Sequence, residues 1–145
     1  MTTNLSDLLL DVSTRLARLD TLDDVFTELL LVISEVVMAD RSTIFLNDAK
    51  SNELYSRIAQ GNLKHEIRIL NNEGIAGHVF TSAEDVIVHD AEQDSRFLKS
   101  IDLHTNYVTK NILCVPIRNA KNQIIGVVEA LNKKKVALPK KISIL

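Results

Sequence analysis

Glu129 stands alone as a charge inside the apolar run Ile124–Leu131, IIGVVEAL. Burying a carboxylate without a partner is costly, so it either faces a cavity or meets a cation, with Arg41 or Lys110 the candidates. Facing a cavity, it would accept hydrogen bonds from ribose-like hydroxyls or an exocyclic amine. A second group is Glu73-Gly74-Ile75-Ala76-Gly77, two glycines at the start of a helical pattern. Free backbone N–H groups and the helix dipole favour an anion there. Gly74 permits the entry turn, and Gly77 lets something approach the first turn closely. A third group, Asp102, Thr105 and Thr109, spaces polar side chains through and just after a long polar loop. Each group also has a plain structural reading: an ion pair, an ordinary helix start, a solvated loop.

Other chemistries find no support in the residues. His65, His78, His89 and His104 lack zinc-ligand spacing, and neither HExxH nor CxxC accompanies them. There is no Walker-type loop and no GxSxG. Cys114 is the one cysteine, so no internal disulfide forms, and a β run suits an inert core thiol. A net charge of −2 argues against nucleic acid as the main partner. No segment approaches the ~20 apolar residues of a membrane span. Leu29–Val37 comes nearest and is interrupted by Glu35. MTTNLSDLLLDVS has no basic region before its apolar residues, so no signal peptide is expected and a reducing cytoplasm is the expected setting.

These groups must be positioned by a single domain's worth of chain, 145 residues with 46% hydrophobic and 25% charged content. Leu5, Leu8, Leu9, Val12, Leu16 and Leu19 recur at helical spacing, with Asn4 or Ser6 as N-cap. Asp20-Thr21 caps a second helix, Leu22–Met38, whose broad apolar face suits a sheet. Ala39-Asp40-Arg41 should turn the chain into strand Ser42–Asn47. A polar turn leads to strand Glu53–Ala59, and Glu66–Leu70 gives a third. The spacing then predicts a short helix over Ile75–Thr81 and a strand Val86–His89. Asp90–Asn106 is polar, with a helix near Ser95–Ser100 capped by Asp94. Ile112–Ile117 and Ile124–Leu131, joined by Arg118–Gln123, read as a central hairpin covered on both faces. Helices first and hairpin-linked strands after predict an α+β domain built on an antiparallel sheet. Residues 1–38 are read as N-terminal helices for packing or dimerisation, 39–133 as the core, and 134–145 as a basic tail or truncated linker.

Three stretches together carry a resemblance: EIRILNNEGIAGHVFTS, the segment through Asp94-Ser95-Arg96-Phe97, and NILCVPIRNAKNQIIGVVEALNK. They resemble a GAF domain, nearest to those of cyclic-nucleotide phosphodiesterases and bacterial adenylate cyclases, over roughly Asp40–Lys133. The resemblance implies a PAS-related sheet of about six strands with helices on both sides, enclosing a cyclic nucleotide as regulatory ligand and needing no other cofactor. It implies that Ile75 and Ala76 offer backbone N–H groups to the cyclic phosphate. Arg41 and Thr43 match positions facing the ligand in cyclase-like members. Asp102, Thr105 and Thr109 match the segment covering base and ribose, and Glu129 the strand glutamate reaching the ligand from the pocket floor. Ala59-Gln60 stand where phosphodiesterase members show a Phe-Asp pair reading the base edge. Leu98 stands where some members carry a tyrosine. Of the family's Asn-Lys…Phe-x-x-x-Asp-Glu signature only Asn132-Lys133 is present.

The expected function is a non-catalytic regulatory domain that binds cyclic AMP in preference to cyclic GMP and signals to an effector domain in a parent protein. The competing expectation is a ligand-free scaffold for homodimerisation or partner docking through the Leu5–Leu19 stripe. A methionine-sulfoxide reductase would need several cysteines, and a bilin photoreceptor a cysteine in a pocket loop; Cys114 supplies neither.

Overall fold

The computed structural model describes residues 4–59, 66–100 and 107–134. Helix α1 spans Leu5–Leu16, and the Asn4 side chain caps it by accepting from the Asp7 N–H at 2.7 Å. Helix α2, Leu22–Val37, is capped by Thr21, whose hydroxyl accepts from the Asp24 N–H at 3.1 Å. Arg15 of α1 forms an ion pair with Glu28 of α2. Along α1 Leu8, Val12 and Leu16 are half-buried, whereas Leu5, Leu9 and Leu10 are exposed.

Six strands form one antiparallel sheet: β1 Ala39–Asp48, β2 Glu53–Ala59, β3 Arg68–Leu70, β4 Val86–Val88, β5 Ile112–Arg118 and β6 Ile124–Lys133. Their order across the sheet is β3-β2-β1-β6-β5-β4. The Ile112–Leu131 region is therefore the expected hairpin, with β6 at the sheet's centre and β5 next to the edge strand β4. Its turn is built by Asn119, whose side-chain oxygen accepts from the N–H groups of Lys121 and Gln123, each at 3.0 Å.

Strand alternation gives the sheet two different faces. Ile44 and Val128 point one way and pack with Leu30 of α2, surrounded by Phe26, Ile33, Leu46, Val115 and Ile117. Phe45, Cys114 and Val127 point the other way and join Ile75, Ala76 and Val79 of helix α3, Gly74–Ser82. The sheet thus has α2 on one side and α3 on the other, as the six-stranded expectation required.

Two local expectations are corrected. No separate turn occupies Ala39-Asp40-Arg41, because β1 begins at Ala39. The reversal is made by one residue, Met38, in the left-handed conformation at φ 53°. The helix near Ser95–Ser100 is not capped by Asp94. A 3-10 turn at Ala91–Gln93 comes first, and Asp94 instead grips Arg96. Its carboxylate accepts from the Arg96 N–H at 2.9 Å and from the guanidinium at 2.9 and 2.6 Å. That bidentate pair competes with capping geometry and holds the chain in a turn.

Candidate functional site

The register brings three sequence-distant side chains onto the α3 face of the sheet. Thr43 of β1 pairs with Glu129 of β6, and Glu129 pairs in turn with Cys114 of β5. One step along, Phe45 pairs with Val127. Directly opposed residues of antiparallel strands share a face. Glu129 is therefore flanked by a buried hydroxyl and a buried thiol.

Above this floor stands the start of α3. Gly74 has φ 70°, which glycine adopts at least cost. An added Cβ there would meet Leu98 Cδ1 at 3.0 Å. Glu73, the residue before the helix, makes no side-chain cap hydrogen bond. The first-turn N–H groups lack intrahelical partners, as at any helix start. Gly77 serves a different purpose from the one its position suggested. A Cβ on it would lie 2.7 Å from the Asn72 carbonyl carbon, so its closeness is needed by the preceding turn.

Floor and helix start enclose a cavity of about 40 Å³ lined by Phe45, Ile69, Gly74, Ile75, Ala76, Phe97, Leu98, Thr109, Ile112, Glu129 and Leu131. At ~10–15 Å³ per water this is room for about three waters, and a nucleotide-sized molecule would have to spread the walls. Leu98 and Phe97 come from the irregular segment before residue 101, whereas Ile112 belongs to β5 and Glu129 and Leu131 to β6.

Glu129 is only partly accessible, and it lines this cavity. Burial pushes its carboxyl up to about 7. Among the described residues neither Arg41 nor Lys110 pairs with it. The Arg41 guanidinium lies over the Tyr107 ring, 4.0 Å from its centroid. Burial, and then the hydrogen bond to Asp40, push the Tyr107 phenol up to about 12. Burial above all, and then Glu129, hold the Cys114 thiol well above its ordinary range.

Of the residues singled out from sequence, Ile75, Ala76, Leu98, Thr109 and Glu129 stand in one cavity wall. Thr43 lies beside Glu129 in the sheet but outside that wall, and Arg41 is engaged by Tyr107. Ala59 pairs with Thr43 at the end of β2. Gln60, Asp102 and Thr105 lie outside the described residues, as do His65 and His104. Sequence reading did not single out Phe45, Ile69, Phe97, Ile112 and Leu131. Their apolar character marks them as core, and only the strand register shows that they surround a space. Among the described residues no group of three or more His, Cys, Asp or Glu side chains could hold a metal ion. Nor is any described helix long and apolar enough to cross a membrane.

Known proteins agree with this architecture. The chain is 35% identical over 142 residues to the probable 3′,5′-cyclic phosphodiesterase pde-5 of Caenorhabditis elegans, covering 89% of the chain and 19% of that protein. The chain thus spans about a fifth of that relative's length. Among solved structures, the GAF domain of an Acinetobacter phosphoenolpyruvate-protein phosphotransferase superposes with a TM-score of 0.77 at 19% identity, covering 97% of this chain and 84% of that one. The free methionine-R-sulfoxide reductase of Neisseria meningitidis, solved with its substrate, gives 0.73 at 18% identity, covering 91% and 77%. At such identities these two speak for the fold alone. The family profile of the GAF domain matches residues 21–144. Covering most of the chain, from α2 to beyond β6, that match shows that this protein belongs to the GAF domain family.

Proposed function

We propose that this chain is a non-catalytic regulatory GAF domain that binds a 3′,5′-cyclic nucleotide and signals to an effector domain elsewhere in a longer protein. One observation carries the reading. The start of α3, Glu129 and Thr109 line a single cavity. The N–H groups of Ile75 and Ala76 suit the cyclic phosphate. Glu129 and Thr109 suit the hydroxyls and ring nitrogens of ribose and base. Arg41, Thr43, Ala59, Gln60, Leu98, Asp102 and Thr105 complete the proposed ligand-binding set, Leu98 from the same cavity lining. The likeness to a phosphodiesterase supports the ligand class, and its much greater length supports an effector elsewhere. Cyclic AMP is placed ahead of cyclic GMP because Ala59-Gln60 supply no carboxylate for a guanine edge. Equilibrium dialysis with labelled cyclic AMP and cyclic GMP, challenged by excess unlabelled 5′-AMP, tests this. Saturable binding that 5′-AMP does not displace is expected, and no binding of either nucleotide contradicts it.

A second reading rests on a different surface. Leu5, Leu9, Leu10 and Leu22 are 57–70% exposed on the two N-terminal helices. Exposed leucines in such number suit a homodimer or a docked partner. Sedimentation equilibrium across a concentration series decides between monomer and dimer, and Leu9→Glu with Leu10→Glu should dissociate a dimer formed there.

A further inference from the structure

Asn132 occupies an unusual place at the end of β6. Its backbone is left-handed, at φ 55°, where asparagine is better tolerated than most residues. Its side chain reaches back to the segment leading into β5. There Oδ1 accepts from the Lys110 N–H at 2.6 Å and from the Asn111 N–H at 3.3 Å. Nδ2 donates to the Val108 carbonyl at 2.8 Å. These contacts lie on both sides of Thr109, so one side chain holds the backbone that carries a cavity-wall residue.

The same amide also donates to the Tyr107 hydroxyl at 2.9 Å. That hydroxyl donates in turn to Asp40 Oδ2 at 2.7 Å. Arg41 covers the ring. Asp40 and Arg41 follow Ala39 at the start of β1, close behind Met38, the residue that reverses the chain out of α2. The Lys134 N–H, at the chain's departure from the sheet, donates to the Met38 carbonyl at 2.7 Å. Lys133 is tied in as well, its N–H donating to Asn111 Oδ1 at 2.7 Å.

We propose that Asn132 and Tyr107 form a latch that positions Thr109 in the cavity wall and couples it to the corner where α2 ends and β6 leaves the sheet. Asn132 is a positioning residue, acting on the cavity through the backbone around Thr109. Tyr107 carries its state to Asp40, and so to Met38 and Lys134. A change in the cavity wall is thereby felt at both chain exits, α2 on one side and residue 134 on the other. As a route for a cyclic-nucleotide signal the latch rests on the proposed function, but its existence does not.

Tyr107→Phe is the sharpest probe, since it removes one hydroxyl and leaves every hydrogen bond at Lys110, Asn111 and Lys134 in place. Amide hydrogen exchange of the ligand-free protein is measured beside global unfolding by urea. Loss of the two hydrogen bonds this hydroxyl makes should speed exchange at Lys110, Asn111 and Lys134 by roughly threefold to tenfold or more beyond any global change. Asn132→Gly keeps the left-handed backbone and should loosen the same amides at least as much. Unchanged exchange at Lys134 in both variants, or acceleration matching the global loss everywhere, would overturn the latch. Cyclic AMP and cyclic GMP are then titrated into the parent protein and Tyr107→Phe. Binding weakened severalfold in the variant supports coupling to the cavity, and unchanged affinity overturns that coupling. Failure of the parent to bind either nucleotide would remove the ligand reading, while the exchange data would still decide the latch.

Discussion

Glu129 of β6 lies directly opposite Cys114 of β5, so the cavity's carboxyl and the chain's one thiol share the sheet face that α3 covers. Cys114 is fully buried, and burial followed by the nearby Glu129 raises its pKa well above the ordinary value. The reactive thiolate is therefore scarce at neutral pH. A thiol reagent should modify Cys114 only as fast as the fold opens, and rapidly in denaturant. Fast labelling of the native protein, timed by absorbance of the released thiol product, would contradict this.

The Glu129 carboxyl gives stability a pH dependence of definite sign. Its folded value of about 7 lies above the ordinary 4.5. Between those values the folded chain holds a proton that the unfolded chain releases, so stability falls as pH rises through this window. The full shift corresponds to roughly 3 kcal/mol as an upper bound. Glu129→Gln removes the titration, so the variant should exceed the parent in stability at pH 8. The gap should shrink as pH falls towards 4.5. Urea unfolding at both pH values measures it, and a gap independent of pH would contradict the buried carboxyl.

Gly126 tests the closeness of the two central strands. A Cβ at this position would lie 2.1 Å from the Phe45 carbonyl oxygen, a backbone atom in β1. Neither strand can move aside without breaking the β1–β6 ladder. Gly126→Ala should cost roughly 3 kcal/mol or more, read from the urea midpoint. A change below 1 kcal/mol would show that the strands are further apart.

Ala83 ends α3 in the left-handed region, at φ 60°. Left-handed backbone is unfavourable for alanine by about 1–2 kcal/mol, partly offset by glycine's greater unfolded-state freedom. Ala83→Gly should therefore raise stability by about 0.5–1 kcal/mol. The Ala83 carbonyl, which accepts from Arg118, survives the substitution. Lower stability in thermal unfolding would contradict the assignment.

What could be read from sequence follows from what is local. Both N-terminal helices and the β5–β6 hairpin rest on periodicity and turn chemistry within a few residues, and of the cap candidates Asn4 or Ser6 and Asp20-Thr21 the structure uses Asn4 and Thr21. Glu129 was conspicuous because a lone carboxylate in an apolar strand has few explanations. The choice between a cation and a cavity needed the register, and Arg41 turned out to be engaged by Tyr107. Met38 gave no warning, since a left-handed methionine at a helix end has no signature in residue type. Asp94 has the residue type of a helix cap, but Arg96, two residues on, claims both its oxygens. The cavity itself was illegible. Phe45, Ile69, Phe97 and Ile112 meet only through pairings between distant segments.

The most direct test of the central claim is a thermal-shift titration with cyclic AMP, cyclic GMP and 5′-AMP. Ligand at ~100 times its dissociation constant stabilises a fold by ~2.7 kcal/mol, which for a domain of this size is roughly 5–10 °C in midpoint. A shift of that order with cyclic AMP, smaller with cyclic GMP, absent with 5′-AMP and diminished in Thr109→Ala, is the predicted result. No shift with either cyclic nucleotide, in protein shown by denaturation and mass analysis to carry none from its preparation, would contradict the proposal that this domain senses a cyclic nucleotide.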